Sequence, residues 1–328
     1  MNYNNIINKF SNQKVLIIGD VMLDTYVWGD VKRISPEAPV PVLNVKGKEE
    51  RLGGAANVAL NTRSLGAETV VCSVVGDDDQ AERLKKLANL HNISLNMLEV
   101  KDRSTSVKTR VIGGNQQVIR VDEEDTSSVS NNVLFQLMEN IEKELENGVE
   151  LIIFQDYDKG VLNREFIQQV IAKAKEKEVK VSADPKKKHF FCFENVDLFK
   201  PNLKELGEGL NIGGGHLSNN EIIECVSKLR KKMPHSKTLV SLASKGMYYK
   251  DDNEKEKFIP AHVREVADVS GAGDTVISVA SMALLAGGSC HELAELSNIA
   301  GGLVCEELGV TPINVDKLRE EASLSNNN

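Results

Sequence analysis

Short, continuous apolar runs recur along this chain and constrain its fold more than any other feature. The first is Lys14–Gly19 (KVLIIG), and four more runs of the same character follow it. They cover residues 69–75, 151–154, 179–183 and 238–242. A run this short, without polar alternation, is typical of a strand that is buried on both faces of a parallel sheet.

Segments with helical periodicity separate these runs. They cover residues 78–91, 131–147, 163–177 and 220–232. Strands that alternate with helices predict an α/β fold with a doubly wound, mainly parallel sheet flanked by helices. The order of the elements along the chain can be read from the sequence, whereas the order of the strands within the sheet stays open.

Two stretches interrupt this alternation. Residues 26–46 contain three of the eight prolines, and residues 105–121 alternate with period two around Gly113-Gly114-Asn115, which is a hairpin signal. We predict that segments of about 25–48 and 104–122 form a small β lid over a site at the strand ends, where ligands bind in such folds. The alternative is two hairpins without a function.

Composition limits the partners of the chain. A formal net charge of −8 argues against a general nucleic-acid or membrane-surface binder, which would carry a basic face. An anionic ligand must therefore be held by a local basic cluster. No apolar run approaches the ~20 residues of a membrane span, and no signal core is present near Met1.

The cysteines and histidines carry no ligand pattern. The five cysteines are far apart and form no Cys-x-x-Cys pair, which is typical of reduced thiols in the cytoplasm. The six histidines have no zinc-site spacing. We expect a cytoplasmic protein without nucleic-acid or membrane partners.

The motif with the clearest chemistry is Asp268-Val-Ser-Gly-Ala-Gly-Asp274, which precedes an apolar run typical of a helix. Its glycines allow a tight turn, and the free amides and dipole of a helix start favour an anion such as a phosphate. A carboxylate does not assist phosphate binding there, so we interpret Asp274 as a general base that deprotonates an attacking hydroxyl. The alternative is an aspartate that caps the helix.

Three further motifs precede it. Asp20-Val-Met-Leu-Asp24 follows the first strand, where carboxylates can hold substrate hydroxyls. Gly53-Gly-Ala-Ala-Asn57 allows close backbone approach and offers an amide to a polyol. Pro201-Asn-Leu-Lys-Glu205 places an amide and a carboxylate on one side of a helical turn, as suits hydrated Mg²⁺ and phosphate oxygens. The alternatives are a polar strand end, a small-residue helix start and a capping box.

The order of these four motifs resembles that of the ribokinase-like (PfkB) carbohydrate kinases, over essentially the whole chain. The resemblance implies an α/β kinase domain with a β lid, and this lid often forms a dimer interface in the family, so a homodimer is expected. It also implies ATP and Mg²⁺ as cofactors and leaves a requirement for a monovalent cation open.

Within this family the chain is most similar to the D-glycero-β-D-manno-heptose 7-phosphate kinases. The similarity lies in residues 15–24, 33–42, 115–120, 156–160 and 184–186. The resemblance implies phosphorylation of the anomeric hydroxyl to give the 1,7-bisphosphate, on the route to ADP-heptose for lipopolysaccharide cores. Many members carry a fused nucleotidyltransferase. We expect residues 1–328 to form one kinase domain without it.

The resemblance assigns roles residue by residue. Asp274 matches the base, and Gly271, Ala272 and Gly273 match the anion hole. The sugar contacts match Asp24, Gly53, Gly54 and Asn57 and, less closely, Asp20. The nucleotide and metal residues match Asn202, Leu203, Lys204, Glu205, Ser241, Gly246 and Asn298, with Glu205 on Mg²⁺ through water. The chain departs from the family at Ala243, where glycine is usual, and so loses backbone freedom there.

The phosphate of the sugar itself needs cations. The candidates are Arg33, Lys108, Arg110 and Lys186, of which three lie in the predicted lid. The alternative is solvated charges on exposed strands.

The predicted reaction is an in-line transfer from ATP to the anomeric hydroxyl, with Asp274 as base. Because an anomeric hydroxyl is more acidic than an ordinary alcohol, a carboxylate with an unshifted pKa can suffice. Kinases for ribose, fructose phosphate or ketodeoxygluconate are the alternatives within the family, and a non-catalytic sugar or nucleotide sensor is one outside enzymes. A nicotinamide dehydrogenase is disfavoured because only Gly19 follows the first strand, and a P-loop enzyme because Gly-x₄-Gly-Lys does not occur.

Overall fold

Two β-sheets, and helices packed around the larger one, form the structure. The computed structural model describes residues 3–114, 116–212, 217–262 and 264–325. The strands, numbered in chain order, are β1 (Lys14–Gly19), β2 (Val21–Ile34), β3 (Pro41–Gly54), β4 (Glu68–Gly76), β5 (Ser94–Val100), β6 (Val107–Gly113), β7 (Gln116–Glu123), β8 (Leu151–Gln155), β9 (Lys180–Asp184), β10 (Leu198–Phe199), β11 (Lys237–Ser241), β12 (Met247–Asp251) and β13 (Lys257–Ile259). The helices are α1 (Tyr3–Ile7), α2 (Ala55–Ser64), α3 (Asp79–Leu90), α4 (Asn131–Glu146), α5 (Arg164–Glu176), α6 (Leu203–Gly209), α7 (Asn219–Lys232), α8 (Ala272–Leu285), α9 (Cys290–Cys305) and α10 (Val315–Ser325).

The larger sheet has nine strands in the order β13-β12-β11-β10-β9-β8-β1-β4-β5. The seven strands from β11 to β5 are parallel, whereas β12 and β13 add an antiparallel edge. In β1, Val15 and Ile17 enter one hydrophobic core while Leu16 and Ile18 enter a second core on the opposite face. Burial on both faces explains the continuous apolar runs. The predicted doubly wound α/β fold is confirmed.

Helices cover both faces of this sheet. One core receives side chains from α2, α8, α9 and α10, and the other receives them from α4, α5 and α7. Polar side chains define where several helices begin: Asp78 accepts from the amide of Ala81 at 2.9 Å at the start of α3, and Ser218 and Ser289 form capping boxes at α7 and α9. The four helices predicted from periodicity are present, with bounds that differ by one residue.

The carboxyl ends of three central strands lie side by side. Gly19 of β1 pairs in register with Gln155 of β8, which pairs in turn with Asp184 of β9. Asp20 follows β1 directly. The parallel arrangement therefore gathers polar side chains from distant parts of the sequence at one edge of the sheet.

The small sheet consists of four strands in the order β3-β2-β6-β7. β2 is antiparallel to β3 and parallel to β6, and β6 and β7 form the predicted hairpin, with Gly113 opposite Gln116. Asn115, which the hairpin signal also included, lies outside the described residues. The predicted additional sheet is thus present. Its first two strands extend beyond the predicted segment of about 25–48, because β2 starts at Val21 and β3 ends at Gly54.

The small sheet is tied to the body near residues 308–310. The Tyr26 hydroxyl accepts a hydrogen bond from the Val310 amide at 3.0 Å. The Arg51 guanidinium donates to the carbonyl oxygens of Leu308 at 2.9 Å and Val310 at 3.1 Å.

None of the helices in the described part of the chain combines the length and apolarity needed to cross a membrane.

Candidate active site

Helix α8 begins at the carboxyl edge of the main sheet. Its N-cap residue Gly271 has φ 79°, and a Cβ there would lie 2.9 Å from the Asn57 Nδ2 atom, so both the backbone and the space require glycine. Ala272 and Gly273 form the first turn, and within the described residues no side chain caps its amides. The helix dipole and these amides make the α8 start suited to an anion.

Asp274 occupies the third position of α8 and is 3% exposed. Its Oδ2 accepts a hydrogen bond from Asn57 Nδ2 at 2.7 Å. Its Oδ1 accepts from the Tyr157 hydroxyl at 2.7 Å and from Gln155 Nε2 at 3.2 Å. Since Gly271 is the N-cap residue of α8 and the Asp274 carboxylate bonds side chains of three other segments, the alternative of a helix-capping aspartate is wrong.

Burial raises the pKa of Asp274 to about 7, although the hydrogen bonds from Asn57 and Tyr157 oppose this rise. The Asp184 carboxylate adds to the rise, and the Lys186 ammonium reduces it. The chemistry of an anomeric hydroxyl does not require this rise, since a carboxylate with an unshifted pKa can suffice. A carboxylate with a pKa near neutrality is better suited to act as a general base at physiological pH.

Asn57 and the adjacent glycines link the small sheet to this carboxylate. Asn57 lies in α2 and is fully buried. A Cβ at Gly53 would lie 2.3 Å from Asp24 Oδ2, and a Cβ at Gly54, which has φ 59°, would lie 2.4 Å from the Asp20 carbonyl oxygen. Both glycines therefore allow the close packing of β3 against the end of β1 and the start of β2.

Asp20, a weaker prediction for a sugar contact, has a structural environment of its own. Its carboxylate is 1% exposed and accepts hydrogen bonds from the backbone amides of Tyr157 at 2.8 Å, Lys159 at 3.2 Å and Val161 at 3.3 Å. Burial and the nearby Asp156 carboxylate raise the pKa of Asp20 to about 6. These contacts show an anchor for the segment that follows β8 rather than a carboxylate that is open to a sugar.

A buried ion pair lies beside the Asp274 cluster. Lys200, which is 2% exposed, places Nζ 3.0 Å from Asp184 Oδ2. Gln155 Nε2 also lies 3.3 Å from this oxygen and thus bridges Asp184 and Asp274. The other oxygen of Asp184 is buried without a hydrogen-bond partner among the described residues. A bound cation or water would satisfy it.

Asn202 and Glu205 form the capping box of α6, as one alternative had it. Asn202 Oδ1 accepts from the Glu205 amide and Glu205 Oε2 accepts from the Asn202 amide, both at 2.8 Å. The other Glu205 oxygen pairs with Lys186. Leu203 and Lys204 complete the first turn, where Lys204 is exposed and lies 3.8 Å from Glu208. Glu205 therefore combines a capping role with a position next to a cation.

Lys186 is the predicted phosphate-binding cation that lies nearest to Asp274. Burial lowers its pKa, but Asp184 and Glu205 outweigh this effect and raise the pKa above the ordinary value, so the side chain is a cation. Its ammonium also lies 5.2 Å from the centroid of the Tyr157 ring. The Lys186 amide donates a hydrogen bond to Asp156 Oδ2 at 3.3 Å, and His189 Nδ1 lies 3.0 Å from the same oxygen. These two contacts hold the segment in place.

The three predicted cations of the small sheet have different surroundings. Arg110 pairs with Asp24, which is 3% exposed, and Lys108 pairs with Asp122 at 3.1 Å and Glu124 at 3.2 Å. Arg33 is exposed and lies nine positions along β2 from Asp24, about 30 Å at the rise of an extended strand. The structure therefore does not bring Arg33 to the Asp274 cluster within one chain.

Two of the predicted nucleotide residues, Gly246 and Asn298, lie beside Pro260. Asn298 of α9 donates to the Pro260 carbonyl at 2.8 Å, and a Cβ at Gly246, which has φ 92°, would lie 2.0 Å from the Ile259 carbonyl oxygen. Ser241 ends β11 and forms a bridge to Asn202. The loop between β11 and β12 thus joins the capping box of α6 to the α9 side of the fold.

Four residues around the carboxylates were not predicted from the sequence: Gln155, Tyr157, Asp184 and Lys200. Gln155 and Asp184 directly follow predicted apolar strand runs, so a polar residue at the carboxyl end of each predicted parallel strand was the available signal for these two. The resemblance included the segments with Tyr157 and Asp184 but gave these residues no role.

Comparison with known proteins agrees with this geometry. The model of the family described as pfkB family carbohydrate kinase matches residues 12–317. "Bifunctional protein HldE" of Magnetococcus marinus is 38% identical over 315 residues, covering 94% of this chain and 64% of that protein. The protein of the same name from Aliarcobacter butzleri is 38% identical over 316 residues, covering 96% and 65%. The chain therefore spans less than two thirds of these curated relatives.

Solved structures show the same fold. Phosphofructokinase-2 from Escherichia coli, in complex with substrates and products, superposes with a TM-score of 0.80 at 18% identity, covering 95% of this chain and 99% of that one. Ribokinase from Arabidopsis thaliana, complexed with ribose and ATP, gives 0.71 at 19% identity, covering 94% and 99%.

We predict that Ala243→Gly stabilises the fold. Ala243 opens the 3₁₀ turn between β11 and β12 with φ 53°, a left-handed conformation that costs a residue with a Cβ about 1–2 kcal/mol. After the entropy of the added glycine is subtracted, the free energy of unfolding should rise by roughly 0.5–1 kcal/mol in chemical denaturation. Ala172→Gly, at an exposed site in α5, is the control and should lose about 1 kcal/mol. Equal losses in both variants would contradict the prediction.

Proposed function

Because the chain belongs to the pfkB family of carbohydrate kinases, we propose that it transfers the γ-phosphoryl group of ATP to the anomeric hydroxyl of D-glycero-β-D-manno-heptose 7-phosphate. The product is the 1,7-bisphosphate, a precursor of ADP-heptose in lipopolysaccharide core synthesis. The observation that carries the proposal is the buried Asp274 carboxylate at the start of α8, next to amides suited to a phosphate.

Asp274 acts as the general base in this proposal. Its carboxylate takes the proton of the anomeric hydroxyl while the hydroxyl oxygen forms a bond to the γ-phosphorus and the bond to the ADP oxygen breaks. The raised pKa, about 7, matches the base to neutral pH. The amides of the Gly271–Ala272–Gly273 turn and the dipole of α8 stabilise negative charge on the transferring group.

The residues beside the base fit a hydrated Mg²⁺ ion. Glu205 and Asp184, one oxygen of which is buried with no hydrogen-bond partner in the described part of the chain, would supply the carboxylate oxygens that this ion prefers. When bound, the ion neutralises charge on the nucleotide phosphates. Lys186 supplies a further positive charge on the same side, and Lys200 offsets the charge of Asp184.

The sugar lies between the small sheet and the α8 start in this proposal. Asp24 and Asn57 contact its hydroxyls, while Gly53 and Gly54 pack against Asp24 and the Asp20 backbone and so hold β3 at the sugar site. Arg110 and Lys108 are the cations for the 7-phosphate. Lys186, which the sequence also offered for this phosphate, pairs with Glu205 and is assigned to the phosphates of ATP instead. Support for a heptose comes from the similarity to the HldE proteins, whose kinase-like part the chain matches over nearly all of its own length.

A coupled ADP-release assay across sugar phosphates tests the substrate. D-glycero-β-D-manno-heptose 7-phosphate should be turned over with the highest kcat/KM, and product analysis should place the new phosphate at C1. Ribose, fructose 6-phosphate and ketodeoxygluconate serve as the competing acceptors. A higher kcat/KM for any of these would overturn the heptose assignment and leave a kinase for another sugar.

Asp274→Asn tests the base. Since the amide cannot accept the proton, turnover should fall at least ~10²-fold, while ATP binding measured by calorimetry stays close to that of the unmodified protein. Asp251→Asn is a matched control, because Asp251 is also 3% exposed but pairs with Lys237 on β11. Near-normal turnover by Asp274→Asn would refute the role of the base.

The small sheet is also the proposed homodimer interface. Several of its apolar side chains are exposed together, whereas exposed apolar residues that do not belong to an interface are usually scattered singly. They are Val31, Ile34, Val45, Val118, Ile119 and Val121. A partner on this face would cover them and would bring its own Arg33 close to the interface.

Ile119→Asp should convert the dimer to a monomer in size-exclusion chromatography with light scattering, because a buried charge opposes association. Phe135→Asp on α4, where the side chain is 64% exposed, is the control and should leave the mass unchanged. A monomeric unmodified protein, or a dimer that persists in Ile119→Asp, would contradict this interface.

A further inference from the structure

The hydrogen bonds of Asp274 leave its two oxygens unequal. A carboxylate offers about four lone-pair positions, two on each oxygen. Oδ1 accepts from both Tyr157 and Gln155, so its positions are filled. Among the residues that the structure describes, Oδ2 accepts from Asn57 alone. The remaining position, on Oδ2, is the one that can receive a proton from a substrate.

Tyr157 is held firmly enough to impose this orientation. Its backbone amide donates to Asp20, whose carboxylate also accepts from the amides of Lys159 and Val161. Three hydrogen bonds to one buried carboxylate fix the loop after β8. Burial, and next the Asp274 carboxylate, raise the pKa of the Tyr157 hydroxyl well above its ordinary value, so the hydroxyl keeps its proton and remains a donor.

The ring of Tyr157 serves the opposite side of the site. Lys186 Nζ lies 5.2 Å from the ring centroid, and the same ammonium pairs with Glu205. A cation near the face of an aromatic ring is attracted to it. One side chain therefore contacts the carboxylate through its hydroxyl and the phosphate-side cation through its ring.

We propose that Tyr157 is a positioning residue for the phosphoryl transfer, which turns Oδ2 of Asp274 toward the acceptor hydroxyl and keeps Lys186 on the phosphate side. The inference rests on the proposed function of Asp274 as the base. It adds a role for Asp20 as the anchor of Tyr157 in place of a direct sugar contact.

The sign of the pH effect follows from the groups around Asp274. The charged or titratable groups that face it are Tyr157 from the loop after β8, Asp184 at the end of β9 and Lys186 from the segment that follows; Asp24 of β2 also acts on Tyr157. The Tyr157 hydroxyl favours the charged carboxylate. Removal of this hydroxyl must therefore raise the pKa of Asp274. The deprotonated carboxylate, which is the active form of the base, is then populated only at higher pH.

The test is Tyr157→Phe, which removes the hydroxyl and keeps the ring. Single-turnover rates with enzyme in excess over heptose 7-phosphate are measured from pH 5 to 9, so that product release cannot mask the proton transfer. The rising limb of the pH–rate profile should move to higher pH by about one unit. At pH values below the limb, this shift lowers the single-turnover rate about tenfold. The KM for ATP should stay within about twofold, since the ring still faces Lys186.

Two further variants make the result specific. Tyr157→Leu removes the ring as well and should also raise the KM for ATP. Tyr248→Phe removes a hydroxyl that donates to the Glu256 carboxylate at 2.8 Å, a bond of the same kind on β12, and should leave the limb in place. Thermal melting of all variants separates a loss of folded protein from a change in rate.

The outcomes distinguish this inference from the proposed function. An active Tyr157→Phe variant with an unshifted limb would refute the positioning role and leave the kinase intact. Absence of turnover by the unmodified protein with every sugar would refute the proposed function and, with it, this inference. If another sugar in the panel is the better acceptor, the same limb is measured with that sugar.

Discussion

The hydrogen-bonded carboxylate of Asp274 is the interaction on which the rest of the site depends. It joins four parts of the fold: α8, on which it lies, Asn57 of α2, Gln155 of β8 and Tyr157 of the loop beyond. An unpaired carboxylate at this depth would be costly, and each donor reduces that cost. The same donors restrict the orientation of the group, so stability and chemistry use the same bonds.

A raised pKa at Asp274 is therefore a compromise between burial and hydrogen bonding. Burial alone would keep the carboxyl group neutral, and full solvation would leave it too weak a base. The nearby ion pairs of Asp184 with Lys200 and of Glu205 with Lys186 place two further carboxylates beside cations within the same small volume. Removal of either lysine would leave an uncompensated buried charge and disturb more than one residue.

The sequence predicted much of the fold because its signals were local. Burial of β1 on both faces requires a continuous apolar run, and Asp78 and Ser218 mark helix starts through their own side chains. Gly271 and Gly246 were also detectable, since positive φ and close backbone contacts admit few other residues. The antiparallel edge of β12 and β13 was missed because pairing between strands leaves little trace in either strand.

Residue type and order by themselves determined an α/β chain with a glycine-rich helix start, an aspartate in its first turn and a second small sheet. Only the tertiary structure decided the neighbours of that aspartate. Parallel pairing brought Gln155 and Asp184 to the same edge, and the loop anchored by Asp20 carried Tyr157 to the carboxylate. The contacts of Asp274 with Asn57, Gln155 and Tyr157 join residues more than a hundred positions apart. Their distances depend on strand register, which no local pattern specifies.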